Sequence, residues 1–170
     1  DKVIKNYNNI NFKLIAVNDG SDKKAPTILI PKTFKQIEII NMEKNQGHAI
    51  CLALGIKYSI TKHEFDYLIL MDGDGEDRPE EISDLIEKSL KSKNLSIVAK
   101  RVKRSEGTIF KMFYFAHKIL TLVFTGKLMN FGNFSILTRK DAELIIKDPN
   151  ITSNFSGTLK KNIKILDYIN

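Results

Sequence analysis

One cysteine, Cys51, is all the chain holds in 170 residues, and that scarcity excludes an internal disulfide framework. The expectation is a reducing compartment, with Cys51 packed in an apolar helical stretch and not serving as a nucleophile. No uninterrupted apolar run reaches the roughly 20 residues that a membrane-spanning helix needs. No secretory signal opens the sequence either. Internal repeats and low-complexity linkers are absent. So is any recognisable nucleic-acid-binding motif, which makes nucleic acid an unexpected partner despite a formal charge of +7.

What is present describes a soluble globular chain, 42% hydrophobic and 28% charged, long enough for one domain with a real core. The basic residues are uneven. Lys100, Arg101, Lys103, Arg104 and Lys111 cluster just past the middle, a patch that favours polyanions such as anionic lipid or a phosphorylated substrate. A solvated lysine-rich surface would look the same. Charge alone decides nothing.

Short apolar runs alternate with helical patterns. Strands are predicted at Phe12–Val17, Ile37–Met42, Tyr67–Met71, Leu95–Ala99 and Phe134–Leu137. A helix is predicted from about Ala49 to Ser59, with Ile50, Ala53 and Leu54 on one face. Another opens near Pro79, with Glu80 and Glu81 in its first turn and Ile82, Leu85, Ile86 and Leu90 inward. The segment Ile109–Thr125 reads as a long apolar helix punctuated by Lys111, His117 and Lys118, either core or lying at a membrane interface. Arg139–Lys147 is helical again, with Pro149 stopping it. Such alternation predicts an α/β protein with a mostly parallel, doubly wound sheet and helices on both faces. Ligands of such sheets bind beyond the carboxyl ends of the strands, where Asn18-Asp19-Gly20, Asn45-Gln46-Gly47 and Asp72-Gly73-Asp74 should converge.

The third strand ends abruptly in acids. Asp72, Asp74 and Glu76 recur at every second position, so in an extended chain they share one face. Three carboxylates there repel unless a cation sits among them, and oxygen-only ligands suit Mg2+ or Mn2+. A solvated acidic turn is the plainer reading. The spacing argues against a calcium loop, whose sixth and twelfth places would hold Gly and Glu, whereas here they are Asp77 and Ser83. His48 is either a surface residue at a helix start or a functional contact. His63 and His117, with no metal-spaced partner, read as structural.

Val17-Asn18-Asp19-Gly20-Ser21, Asn45-Gln46-Gly47-His48, Met71-Asp72-Gly73-Asp74 and Gly132-Asn133-Phe134 before Thr138-Arg139-Lys140 together resemble family 2 glycosyltransferases with the GT-A fold. The likeness runs from about Phe12 to Lys147 and is nearest to the dolichol- or polyprenyl-phosphate sugar transferases. It implies a GT-A, Rossmann-like sheet lacking its usual first strand, with residues 1–170 forming a single domain of a longer protein.

By the same resemblance, Asp19 with Gly20, Asn45, Gly47, Asp72 and Asn133 would bind a nucleoside-diphosphate sugar. Asp72, Asp74 and Glu76 would hold Mg2+ or Mn2+, and Arg101 would engage phosphate, with Arg104 and Lys111 beside it. Asp74 and Arg101 are the implied catalytic residues, and Asp77 joins them as base if the acceptor is an alcohol. A lipid-phosphate acceptor implies work at the cytoplasmic face of a membrane. Relatives often carry Asp where this chain has Asn130 and Asn133, which weakens acid-base roles there more than sugar binding. A catalytically degenerate module that binds a nucleotide sugar or a membrane surface is therefore the alternative. A haloacid-dehalogenase-like phosphatase fits less well, since Glu76 stands where those proteins carry Thr or Val.

Overall fold

The computed structural model describes residues 6–22, 34–92, 95–100, 131–163 and 167–169. Arg101, Arg104, Lys111, His117, Asn130 and the predicted helix Ile109–Thr125 lie outside the described residues. The fold is α/β, of the GT-A, Rossmann-like type. Strands β1 (Phe12–Asn18) and β2 (Phe34–Asn41) pair in parallel, with Leu14 opposite Ile37 and Val17 opposite Ile40. A second sheet has the order β3-β5-β4-β6, built from β3 (Tyr67–Leu70), β4 (Ile97–Lys100), β5 (Phe131–Thr138) and β6 (Asp167–Ile169).

The described pairings are mixed rather than mostly parallel. β5 lies antiparallel to both β3 and β4, while β6 runs parallel to β4. β3 and β4 therefore point the same way with a reversed strand between them. The end of β3 and the beginning of β5 meet at one edge. Leu70 stands opposite Ser135, so two more residues along each chain bring Asp72 level with Asn133.

Alternation along the strands sorts the core into two layers. Leu68 and Leu70 of β3 and Leu137 of β5 face one cluster, with Ala53 and Ile56 of helix α1 (His48–Lys62). Ile69, Phe134 and Ile136 face the other, with Leu85 and Ile86 of helix α2 (Ile82–Lys91). The sheet is thus covered on both sides. Ile56, Leu85, Ile97 and Leu137 are fully buried, each contributing roughly 2 kcal/mol of apolar burial.

Helical details differ from expectation in ways the packing explains. The fully buried residue of α1 is Ile56, while Ile50 and Leu54 are only half-buried. In α2 the inward position belongs to Ser89, whose hydroxyl donates to Leu95 O at 2.8 Å, and Leu90 is left exposed. Pro79 starts a short 3-10 turn (Pro79–Glu81) that leads into α2. Pro149 does not simply stop a helix. It opens a second 3-10 turn (Pro149–Thr152) between α3 (Arg139–Ile145) and α4 (Phe155–Asn162).

Two polar fasteners hold the edge away from the acidic tip. Arg139 donates to the carbonyls of Ile60 in α1 (3.2 Å) and of His63 just past its end (2.8 Å), pairs with Glu143 at 2.8 Å, and stacks over Phe65. It thereby serves carbonyls that a helix end leaves without donors. Tyr58 donates to Glu38 at 2.6 Å, and His63 approaches the same carboxylate at 3.1 Å, tying α1 to β2. The structural reading of His63 fits this geometry. Among the described residues, no helix is long and apolar enough to cross a membrane.

Candidate functional site

Three loops converge beyond the strand ends. The first pair is locked together by Asp19. Its Oδ1 accepts the Gln46 N–H at 2.7 Å and its Oδ2 accepts the Gly47 N–H at 2.8 Å. These bonds, led by that from Gln46, hold the Asp19 carboxyl below its ordinary range. Gly20 sits at φ +66°, and a Cβ there would come within 2.5 Å of the Lys44 carbonyl carbon, so only glycine lets the two backbones touch. Gly47, at φ +95°, caps the start of α1. Asp19, Gly20, Asn45 and Gly47 are thus gathered. Asp19 faces its neighbouring loop with both oxygens, which makes it the brace between the two loops.

The acidic tip departs from its expected shape. Strand pairing stops at Leu70, and the chain turns through Gly73–Gly75, with Gly75 at φ +84°. Asp74 Oδ1 bends back to accept the Glu76 N–H at 2.8 Å. Asp72, Asp74 and Glu76 therefore do not share one face, because the period-two argument holds only for extended backbone. Among the described residues no three acidic, histidine or cysteine side chains gather as a metal cluster. Asp77 Oδ2 accepts the Asp72 N–H at 2.8 Å, which pins the backbone of Asp72. That engagement suits a positioning residue better than a proton acceptor.

Asp72 itself lands in a group the motif reading left incomplete. Its place in the strand alternation matches Leu68 and Leu70, and that of Asn133 matches Ser135 and Leu137, so both aim toward α1. There they meet His48, the first residue of that helix. Asn133 Nδ2 lies 2.7 Å from His48 Nε2 and 3.4 Å from Asp72 Oδ2. His48 Nε2 stands 3.4 Å from Asp72 Oδ1. Asp72 Oδ1 is buried and receives no hydrogen bond. His48 was legible only as a polar residue next to Gly47 at a helix start. Its partner came from strand pairing 85 residues away.

Among the described residues at this edge, the orphaned carboxylate oxygen of Asp72 at the end of a strand suits a divalent cation. Carboxylate oxygens are the right donors for Mg2+ or Mn2+, and Asp72 fits that use as it stands. Asp74 lies two residues on at an exposed position, next to it in the turn.

The family description "Glycosyl transferase family 2" matches residues 1–161. An uncharacterized glycosyltransferase of Synechocystis sp. is 30% identical over 155 residues, covering 87% of this chain and 46% of that protein. The uncharacterized glycosyltransferase YkcC of Bacillus subtilis is 32% identical over 111 residues, covering 61% of this chain and 33% of that protein. An uncharacterized protein of Methanocaldococcus jannaschii is 29% identical over 90 residues, covering 51% and 39% respectively. The chain spans less than half the length of each of these relatives.

Proposed function

Because the chain belongs to glycosyl transferase family 2, we propose that it carries the donor-binding and catalytic domain of an enzyme that moves a sugar from a nucleoside diphosphate to an acceptor. The acceptor we propose is a polyprenyl or dolichyl phosphate at the cytoplasmic face of a membrane. One observation supports the site above all: Asp72, Asn133 and His48 meet where the Asp19-braced loop and the start of α1 also arrive. The amide end of α1 carries the positive end of its dipole, which suits a diphosphate.

In this reading Asp72 holds Mg2+ or Mn2+, with Asp74, two residues on in the turn, as a second oxygen donor. A bound ion there would offset charge building on the leaving diphosphate. Asp19 and Gly20 keep the nucleotide wall in shape, and Asn45 and Gly47 line it. Asn133 can hydrogen-bond a sugar hydroxyl but cannot take a proton. A phosphate acceptor is already ionised near neutral pH, so the lack of a base at Asn133 costs little. Asp77, engaged on the Asp72 amide, positions its neighbour. β4 ends at Lys100, and Arg101 follows it, placed by the sequence to join two like-charged substrates.

Calorimetry with UDP-, GDP- and dTDP-sugars, with and without Mn2+, tests the reading, followed by a transfer assay with polyprenyl phosphate. Asp74→Asn should abolish metal-dependent donor binding and leave the fold intact; unchanged donor affinity in Mn2+ would refute it. Tight donor binding with no hydrolysis or transfer across the panel would favour the alternative, a binding module. Asn133 is the residue that lends weight to that alternative.

A further inference from the structure

We propose that His48 grips the diphosphate of the sugar donor through its Nδ1–H, and that Asn133 is the positioning residue that keeps the proton there. The inference rests on the transferase reading and deepens it by naming a contact outside the acidic motif. It follows from which atom can donate to which. The Asn133 amide nitrogen lies 2.7 Å from His48 Nε2 and 3.4 Å from Asp72 Oδ2. Turned over, that amide would set its oxygen against the carboxylate, so the nitrogen faces both groups and donates. A neutral imidazole has one accepting and one donating nitrogen. With the Nε2 lone pair taken by Asn133, Nε2 is no metal ligand, and the proton sits on Nδ1.

Among the described residues Nδ1 meets no acceptor, and the His48 side chain is 54% exposed, so a ligand can reach it. Beside it stand the amides of the first turn of α1. Asp19 occupies the Gly47 N–H, while Ile50 N and Cys51 N donate to Gly47 O at 3.1 and 3.2 Å. The His48 and Ala49 amides are the ones that the helix itself leaves unserved. Two adjacent residues thus offer three N–H donors at the positive end of α1, next to the carboxylate of Asp72. A diphosphate held by a cation on Asp72 would meet them as charge-assisted hydrogen bonds. This gives Asn133 a use that aspartate could not serve. A carboxylate can only accept, so it would draw the proton to Nε2 and leave Nδ1 a lone pair that repels phosphate. It would also set a second acid against Asp72.

Nitrogen-15 NMR of the histidine-labelled full chain, at about pH 8 where an ordinary imidazole is neutral, reads the tautomer directly. The His48 signal, identified by its loss in His48→Gln, should be that of a ring protonated at Nδ1. Asn133→Ala should move the proton to Nε2, where Asp72 Oδ1 can accept it. Binding is read by calorimetry with Mg2+ and inorganic pyrophosphate, which has no sugar for Asn133 to touch. His48→Gln and Asn133→Ala should each weaken it about 10-fold, with little further loss in the double variant. His48→Asn should restore affinity to within about 3-fold of wild type, because its Nδ2 falls where imidazole Nδ1 stood. A wild-type proton on Nε2 would overturn the proposal, as would additive losses or unchanged pyrophosphate affinity in His48→Gln. If pyrophosphate binds through His48 and no sugar nucleotide binds, the diphosphate contact stands and the transferase reading falls.

Discussion

Two aspartates on this fold are solvated in opposite ways. Asp148, at the turn after α3, is buried and fully served: its oxygens accept from Asn150 N, Asn150 Nδ2, Lys161 Nζ and Asn162 Nδ2, at 2.8 to 3.0 Å. Asp72, at the end of β3, has one long contact from Asn133 on Oδ2 and none that hydrogen-bonds Oδ1. The first binds α3, its following turn and α4 into one unit. The second carries an unmet demand. Buried polar atoms are nearly always satisfied, so a satisfied cluster reads as architecture and an unsatisfied one as a place prepared for something else.

The contrast can be broken by exchange. Asp72→Asn should cut sugar transfer by at least about 100-fold, the scale of several kcal/mol of lost charge stabilisation. Its thermal midpoint should not fall, because the substitution removes an uncompensated charge. A midpoint drop matching that of Asp148→Asn would erase the distinction. On the architectural side, Arg139→Ala should cost about 2 kcal/mol in urea unfolding, since the Ile60 and His63 carbonyls at the end of α1 and Glu143 lose a charged donor. Transfer per folded molecule should be unchanged.

Asp148→Asn should lower the midpoint by several degrees at neutral pH, again with transfer per folded molecule intact. Its pH dependence has a definite sign. The hydrogen bonds led by that from Lys161 hold the Asp148 carboxyl below its ordinary value of 3.8. The stabilisation is therefore present above that value and is lost as pH falls beneath it. Melts between pH 3 and 7 should show a constant gap between wild type and variant down to about pH 5 that begins to narrow towards pH 3. A gap that widens in acid would contradict the assignment.

Much of the fold was legible because its strands are short apolar runs ending in glycine-bearing polar loops. β1, β3 and the start of α1 fall within a few residues of their predicted positions. The direction of β5 was not legible. Nothing in Phe134-Ser135-Ile136-Leu137 encodes whether the strand arrives from above or below, since that depends on the connection before it. α4 and β6 were missed for a plainer reason: the expected stop at Pro149 hid a turn that continues into helix. At the site, Asp19, Gly20, Gly47, Asp72 and Asn133 could be found as motif letters, yet their contacts could not. The alternation of Asp72, Asp74 and Glu76 misled because glycines at 73 and 75 let the chain curl. His48 became visible only through tertiary pairing, which a one-dimensional pattern does not contain.

The reversed strand has a consequence for how changes in this region would propagate. Phe134 and Ile136 fill one layer of the core while Leu137 fills the other, and the same two-residue rhythm sets where Asn133 points. A slip of β5 by a single residue would bury Ser135 where Phe134 belongs and swing the amide away from the helix start in the same motion. Greasy side chains at the centre of the sheet thus act as the sight by which one polar group at its rim is aimed.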